Sequence, residues 1–186
     1  MSNKIKIDGL HFKMLMSIAD IEFEYWETKN KAHKEKQCFN TINACRIGIL
    51  SEAALKVHLL HKYGERIVNL NCFGITERIK SKHFYEQSDI SLETHSESFK
   101  YEVKGITKGQ PRGQILVKNG YDYLKAGISH VVFCEVDYNI NKQEALIDIY
   151  LFDETSNVVK YPVRKNKYNV DCYTNDNYLH MIKVNK

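Results

Sequence analysis

The sequence predicts an α/β protein, with a mixed central sheet flanked by helices. Three observations predict it. Apolar residues recur at helical spacing through the first third of the chain, two segments of strict two-residue alternation follow, and a further helical stretch then leads into two compact apolar runs. Packing helices against a mixed sheet is the arrangement that buries such a set of faces.

Leu10, Met14, Ile18, Ile21 and Tyr25 fall at three- and four-residue intervals, which predicts a helix over about 10–36. Its polar end, Lys29 to Gln37, reads as a solvated last turn and loop. A second helix is predicted over 41–63 from Ile42, Cys45, Ile49, Ala53, Val57 and Leu60, with Gly64 as its stop signal. The stretch 66–82 fits a short strand or a loop.

Asp89, Ser91 and Glu93 alternate with Ile90 and Leu92. Further on, Ser98, Lys100, Glu102 and Lys104 alternate with Phe99, Tyr101 and Val103. Period two is the mark of a strand with one buried face. A turn at His95-Ser96 sets Leu92 against Phe99 and Ile90 against Tyr101, and a slip of one residue would turn each strand inside out. The same register places Asp89 across from Glu102.

Residues 105–113 read as a flexible basic loop carrying Lys108 and Arg112, with Pro111 suited to a helix's first turn. The helix that follows carries Gln114, Ile115, Tyr121 and Leu124 and stops at Gly127. Val131, Val132, Phe133 and Cys134 predict a buried strand over 130–136. After a turn at 139–142, another strand covers 145–152. The segment 160–167 is basic, with Lys160, Arg164, Lys165 and Lys167 near Tyr161 and Tyr168. No repeat or linker interrupts the chain, so one domain over 1–186 is expected, with its core over 41–152.

A net charge of +4 with a pI near 8.7 suits an anionic partner such as nucleic acid. The five cysteines (Cys38, Cys45, Cys72, Cys134, Cys172) are scattered without a C-x-x-C pair, which predicts reduced thiols and argues against structural zinc. His33, His58, His61, His83, His95 and His130 show no metal-ligand spacing. There is no signal-type apolar run and no stretch of about 18 apolar residues, so a soluble cytoplasmic protein with no membrane partner is expected. The phosphate-binding, dinucleotide-binding and serine-hydrolase motifs are absent, which lowers the kinase, dehydrogenase and hydrolase readings.

Two carboxylates opposite each other on adjacent strands sit roughly 4.5–5.5 Å apart at Cβ and repel. A divalent cation gives a reason to keep them there, because Mg²⁺ takes one or two carboxylates plus phosphate oxygens and water. Lys104 points to the same face.

An acidic residue, Asp89, followed after twelve residues by Glu102-Val103-Lys104, resembles the active-site pattern of the PD-(D/E)XK nuclease superfamily. The order of helix, hairpin, helix and strand over 41–136 also resembles its restriction-endonuclease-like core. The first acidic residue is often preceded by proline in that family; here it follows Ser88. The resemblance implies Mg²⁺, for which Mn²⁺ can substitute, held by Asp89, Glu102 and the Val103 carbonyl. It implies that Lys104 orients or helps deprotonate the attacking water.

Glu52, in the apolar run Gly48 to Leu55, matches a glutamate that many relatives bring from the first core helix to the metal cluster. Lys56, four residues on, offers it an ordinary ion pair instead. Gln114 matches a glutamine that holds the lysine or the water in some relatives. Phosphate contacts would fall on Lys108 and Arg112, and on Arg164, Lys165 and Lys167.

The implied activity is Mg²⁺-dependent hydrolysis of double-stranded DNA. After the core about fifty residues remain, without a helix-turn-helix or zinc finger. The chain therefore most resembles the small catalytic subunit of a heterodimeric type IIS restriction endonuclease, whose larger subunit reads the sequence. The helix over 10–36, with Phe23, Tyr25 and Trp26, is the expected docking place for that partner. The rival readings are a Holliday-junction resolvase or DNA-repair nuclease, and a non-catalytic nucleic-acid-binding protein that keeps the fold.

Overall fold

The computed structural model describes residues 4–33, 41–72, 88–110, 114–166 and 168–175. A strand unforeseen in the sequence, β1 (Lys4–Asp8), leads into helix α1 (Gly9–His33). Helix α2 (Ile42–Tyr63) follows. The Thr41 hydroxyl caps α2 by accepting the Ala44 N–H at 3.2 Å, which satisfies one of the donors a helix start leaves open. Gly64 ends α2 at φ +50°, its N–H donating to the Leu60 carbonyl; glycine reaches this φ without a Cβ clash.

The strands β2 (Ile67–Cys72), β3 (Ile90–Thr94) and β4 (Ser98–Thr107) come next. They are followed by β5 (Gln114–Leu116), α3 (Val117–Lys125), β6 (His130–Asn139) and β7 (Glu144–Glu154). The short helix α4 (Thr155–Val158) and the strands β8 (Val163–Lys165) and β9 (Asp171–Thr174) complete the order.

Six strands form a mixed sheet in the order β1-β7-β6-β4-β3-β2. β2, β3 and β4 run as an antiparallel meander, and β6 lies parallel to β4. The α/β architecture read from the sequence is therefore present. So is the hairpin register, with Ile90 opposite Tyr101 and Leu92 opposite Phe99. A separate antiparallel sheet, β5-β9-β8, was not foreseen.

The large sheet carries a core on each face. On one side Leu50, Leu55 and Leu59 of α2 and Phe12 of α1 pack with Ile90, Leu92, Tyr101, Val132 and Ile147. On the other, Val131 and Phe133 pack with Ile115, Tyr123, Val158 and Tyr173. The first half of β6 is buried from both sides, which is why Val131 to Cys134 is continuously apolar rather than alternating.

Several boundaries and faces differ from the sequence reading. α1 buries Phe12, Met16 and Ala19, not the stripe through Leu10 and Met14. α2 buries Ile47, Leu50, Ala54, Leu55 and Leu59, and of the predicted set only Cys45 joins them among the buried residues. Both helices carry apolar residues on more than one side, so periodicity finds the helix but not the face that the sheet selects. The basic loop is shorter than expected, because β4 runs on to Thr107, held by parallel pairing with β6 through Val136. Gln114 opens a strand rather than a helix, pairing with Thr174 of β9. α3 starts at Val117 and buries Gly120 and Tyr123, while Tyr121 and Leu124 are exposed. Within the basic segment, Val163–Lys165 forms one arm of the β8–β9 hairpin. Pro111, Arg112 and Lys167 lie outside the described residues.

Cys45, Cys134 and Cys172 are free thiols, all buried. Burial pushes the Cys45 thiol up to about 11 and the Cys134 thiol up to about 12. No helix among the described residues is long and apolar enough to cross a membrane.

Candidate active site

The β3–β4 ladder stops at Ile90 and Tyr101, and the next rung would join Asp89 to Glu102. The chain bends at Asp89, and a carboxylate takes over from the main chain: Oδ2 of Asp89 accepts the Val103 N–H at 2.7 Å. In an antiparallel ladder one residue's N–H and carbonyl point to the same side. The Val103 carbonyl is therefore directed to the side of β4 on which Asp89 lies.

Alternation along β4 splits the neighbouring residues between the two faces. Gly105 turns toward α2 at a distance only glycine permits. A Cβ there would lie 2.3 Å from Ser51 Oγ and 2.6 Å from Ile47 Cγ2. Glu102 and Lys104 turn the other way, toward α3. The sequence reading placed them on an open polar face; Glu102 is instead only 8 % exposed. The physical reason is non-local, since the second core covers this end of the strand.

Inside that cover Lys104 Nζ donates to Glu102 Oε1 at 2.6 Å. The same ammonium lies 5.3 Å from the centroid of the buried Tyr123 ring, within cation–π range. Burial alone would lower the Lys104 pKa. Glu102, Tyr123 and Asp89 outweigh it and hold the ammonium well above its usual 10.5. Burial raises the Tyr123 phenol, with Glu102 adding to the rise and Lys104 opposing it.

Tyr123 is the participant that sequence reasoning missed. Its neighbours Tyr121 and Leu124 looked like the apolar pair of α3, yet Tyr123 is the aromatic residue that the helix turns inward. A small residue at Gly120, three positions earlier, was the available signal. A Cβ there would meet the Tyr173 ring at 2.8 Å, so this side of α3 sits close against β9.

The remaining predicted residues lie elsewhere. Glu52 is half-buried on α2, one residue past Ser51, on the helix that covers the opposite face of β4. Among the described residues no three His, Cys, Asp or Glu side chains gather into a group able to hold an ion. The Gln114 side chain donates to Thr174 Oγ1 at 3.5 Å. Lys108 pairs with Asp137 at 2.8 Å and Lys165 with Asp171 at 2.9 Å, both exposed. Arg164 is exposed on β8.

The donor chemistry suits a hard divalent cation: two carboxylates and a main-chain carbonyl, all oxygen. No family model, no curated protein and no solved structure matches the chain.

Proposed function

We propose that the chain is a Mg²⁺-dependent DNA endonuclease of the PD-(D/E)XK type, cutting phosphodiester bonds by water attack. The observation that carries this reading is the meeting of Asp89, Glu102 and Lys104 around the Val103 peptide at the end of one hairpin ladder. The element order supports it: helix α2, the antiparallel meander β2–β4, the short β5, helix α3, and then β6 running parallel to β4.

Asp89, Glu102 and the Val103 carbonyl would hold the cation. When bound, Mg²⁺ supplies charge stabilisation at the scissile phosphate. Lying 2.6 Å from Glu102, the Lys104 side chain is placed to orient the attacking water or help deprotonate it, and to offset phosphate charge. Tyr123 limits where that ammonium can sit. Lys108, Arg164 and Lys165 supply phosphate contacts, and a separate larger chain supplies sequence recognition.

A second reading, a non-catalytic nucleic-acid-binding protein, is favoured by one observation: both carboxylates already have protein partners, the Val103 N–H and the Lys104 ammonium. One experiment separates the two. The purified protein is incubated with supercoiled plasmid and Mg²⁺, with and without lysate of its host, beside an Asp89→Asn control. Cleavage by the native chain but not the variant supports the endonuclease. DNA binding without cleavage under every condition supports the second reading.

A further inference from the structure

Two imidazoles share one aromatic ring where the end of α2 meets the sheet. His58 of α2 lies 6.2 Å from the Phe152 ring of β7, centroid to centroid, and His130, the first residue of β6, lies 5.2 Å from it. His130 also packs 5.5 Å from Tyr101 and 5.6 Å from Phe99. Lys62, one turn after His58, sets its ammonium 5.3 Å from the Phe152 centroid and 5.2 Å from that of Tyr63. His58, His130 and Phe152 are all half-buried.

Hydrogen bonding fixes the resting form of His130. The Ser129 hydroxyl donates its single proton to the Lys100 carbonyl at 2.8 Å and accepts the Lys100 N–H at 3.0 Å. Its remaining contact, 3.0 Å from His130 Nδ1, is therefore one in which Nδ1–H donates to the hydroxyl oxygen. A further proton enters only at Nε2, and it turns the ring into a cation among Phe99, Tyr101 and Phe152. We propose that His58 and His130 form an acid-sensitive latch: as neutral rings they hold the last turns of α2 on the sheet, and their protonation loosens that contact.

The charges around the contact set its direction. From α2, His58, His61 and Lys62 would all face a protonated His130, and the Phe152 ring between them is already engaged by the Lys62 ammonium. From β7, Asp153 and Glu154 oppose the repulsion, Glu154 as the register partner of His130. Asp153 is committed to the Tyr161 hydroxyl, the Asn157 amide and the Glu154 N–H, and Glu154 is exposed. Tyr101 from β4, with Glu97 near it, and Tyr63 under Arg66 complete the surroundings. Burial holds both imidazoles below the usual 6.5, and Lys62 adds to the effect at each. A base lowered in this way stabilises the fold fully above its unfolded pKa, and the contribution is lost as pH falls below about 6.5. The latch stands apart from the nuclease reading, because Tyr101 belongs to the core under α2 while Glu102 and Lys104 turn toward α3.

The test runs on the full chain from about pH 7.5 to about 5.5, above the ordinary carboxylate range. An NMR titration of the native chain should place both imidazoles below 6.5, with His130 protonated at Nδ1 at neutral pH. Amide hydrogen exchange, corrected for its intrinsic pH dependence, should show protection of residues 58–63 falling toward acid while the β6–β7 ladder keeps its own. In urea the unfolding constant should rise by up to about tenfold per pH unit for each imidazole. His130→Phe keeps a ring in place without a titrating nitrogen and should remove its share of that rise; adding His58→Gln should flatten the curve further. Imidazoles that titrate at or above 6.5, or protection lost equally from α2 and the β6–β7 ladder, overturn the proposal without recourse to any variant. A double variant with the pH dependence of the native chain overturns it as well.

Discussion

Lys104 and Glu102, two residues apart on one face of β4, form a 2.6 Å ion pair beneath Tyr123. Alternation puts both side chains on the same side of the strand, so the lysine needs only to fold back along it. The pair is partly desolvated, and each member makes the burial of the other tolerable.

Replacing one member of that pair separates chemistry from stability. Glu102→Ala removes a proposed cation ligand and leaves the Lys104 ammonium without its closest anion. It should abolish cleavage and lower unfolding stability by about 1–3 kcal/mol. The lower end is expected, because the Lys104 side chain keeps 31 % of its surface in solvent. Asp89→Asn keeps an acceptor for the Val103 N–H, so it should fold like the native chain and yet not cut. Urea denaturation and plasmid nicking, run side by side, check both.

The pH dependence of stability follows from the raised Lys104 pKa. A lysine bound more tightly to its proton when folded stabilises the fold below its unfolded pKa, and that contribution disappears as pH rises through the folded value. The folded value lies well above 10.5. The contribution should therefore be constant around neutrality and fall away only above about pH 10. Melting temperatures of the native chain and Lys104→Met, followed from pH 7 upward, should converge at the alkaline end. A difference that vanishes near pH 8 would contradict the pairing.

Gly105 sets how closely α2 approaches the site strand. Gly105→Ala would place a methyl group 2.3 Å from Ser51 Oγ and 2.6 Å from Ile47 Cγ2. Overpacking of this kind costs about 1–3 kcal/mol. Adding Ser51→Ala should recover only part of the loss, because the Ile47 contact remains. Chemical denaturation of the single and double variants tests this, and full recovery would mean that the helix moves freely.

DNA binding by the isolated chain should be weak, indifferent to sequence and steeply salt-dependent. Lys108 and Lys165 are exposed, and their acidic partners Asp137 and Asp171 are exposed as well. Such surface pairs are easily exchanged for phosphate. Each phosphate contact contributes about −0.9 to the slope of log K against log salt, so Lys108→Ala should flatten the slope by about one. Gel-shift titrations against several duplexes decide the point. Tight sequence-selective binding by this chain alone would remove the need for a recognition partner.

Local pattern was enough to find α2 with its Thr41 and Gly64 boundaries, the β3–β4 hairpin in its correct register, and the strands β6 and β7. Those features rest on short-range rules: a cap three residues from its donor, alternation along a strand, and a turn that brings Leu92 to Phe99. The same register placed Asp89 beside Glu102 without reference to any other part of the chain. Tertiary structure decided what short-range rules leave open. Phe12 rather than Leu10 became the inner side of α1 because the sheet and α2 chose between two apolar stripes. Gln114 became a strand residue because β9, sixty residues away, pairs with it. Strands of three or four residues are too short to show a period of their own. Glu102 became a buried carboxylate because α3 lays Tyr123 across the end of β4, and no feature near Glu102 in the sequence encodes that contact. Burial and partnership are sums over distant segments, whereas periodicity and capping are properties of neighbours.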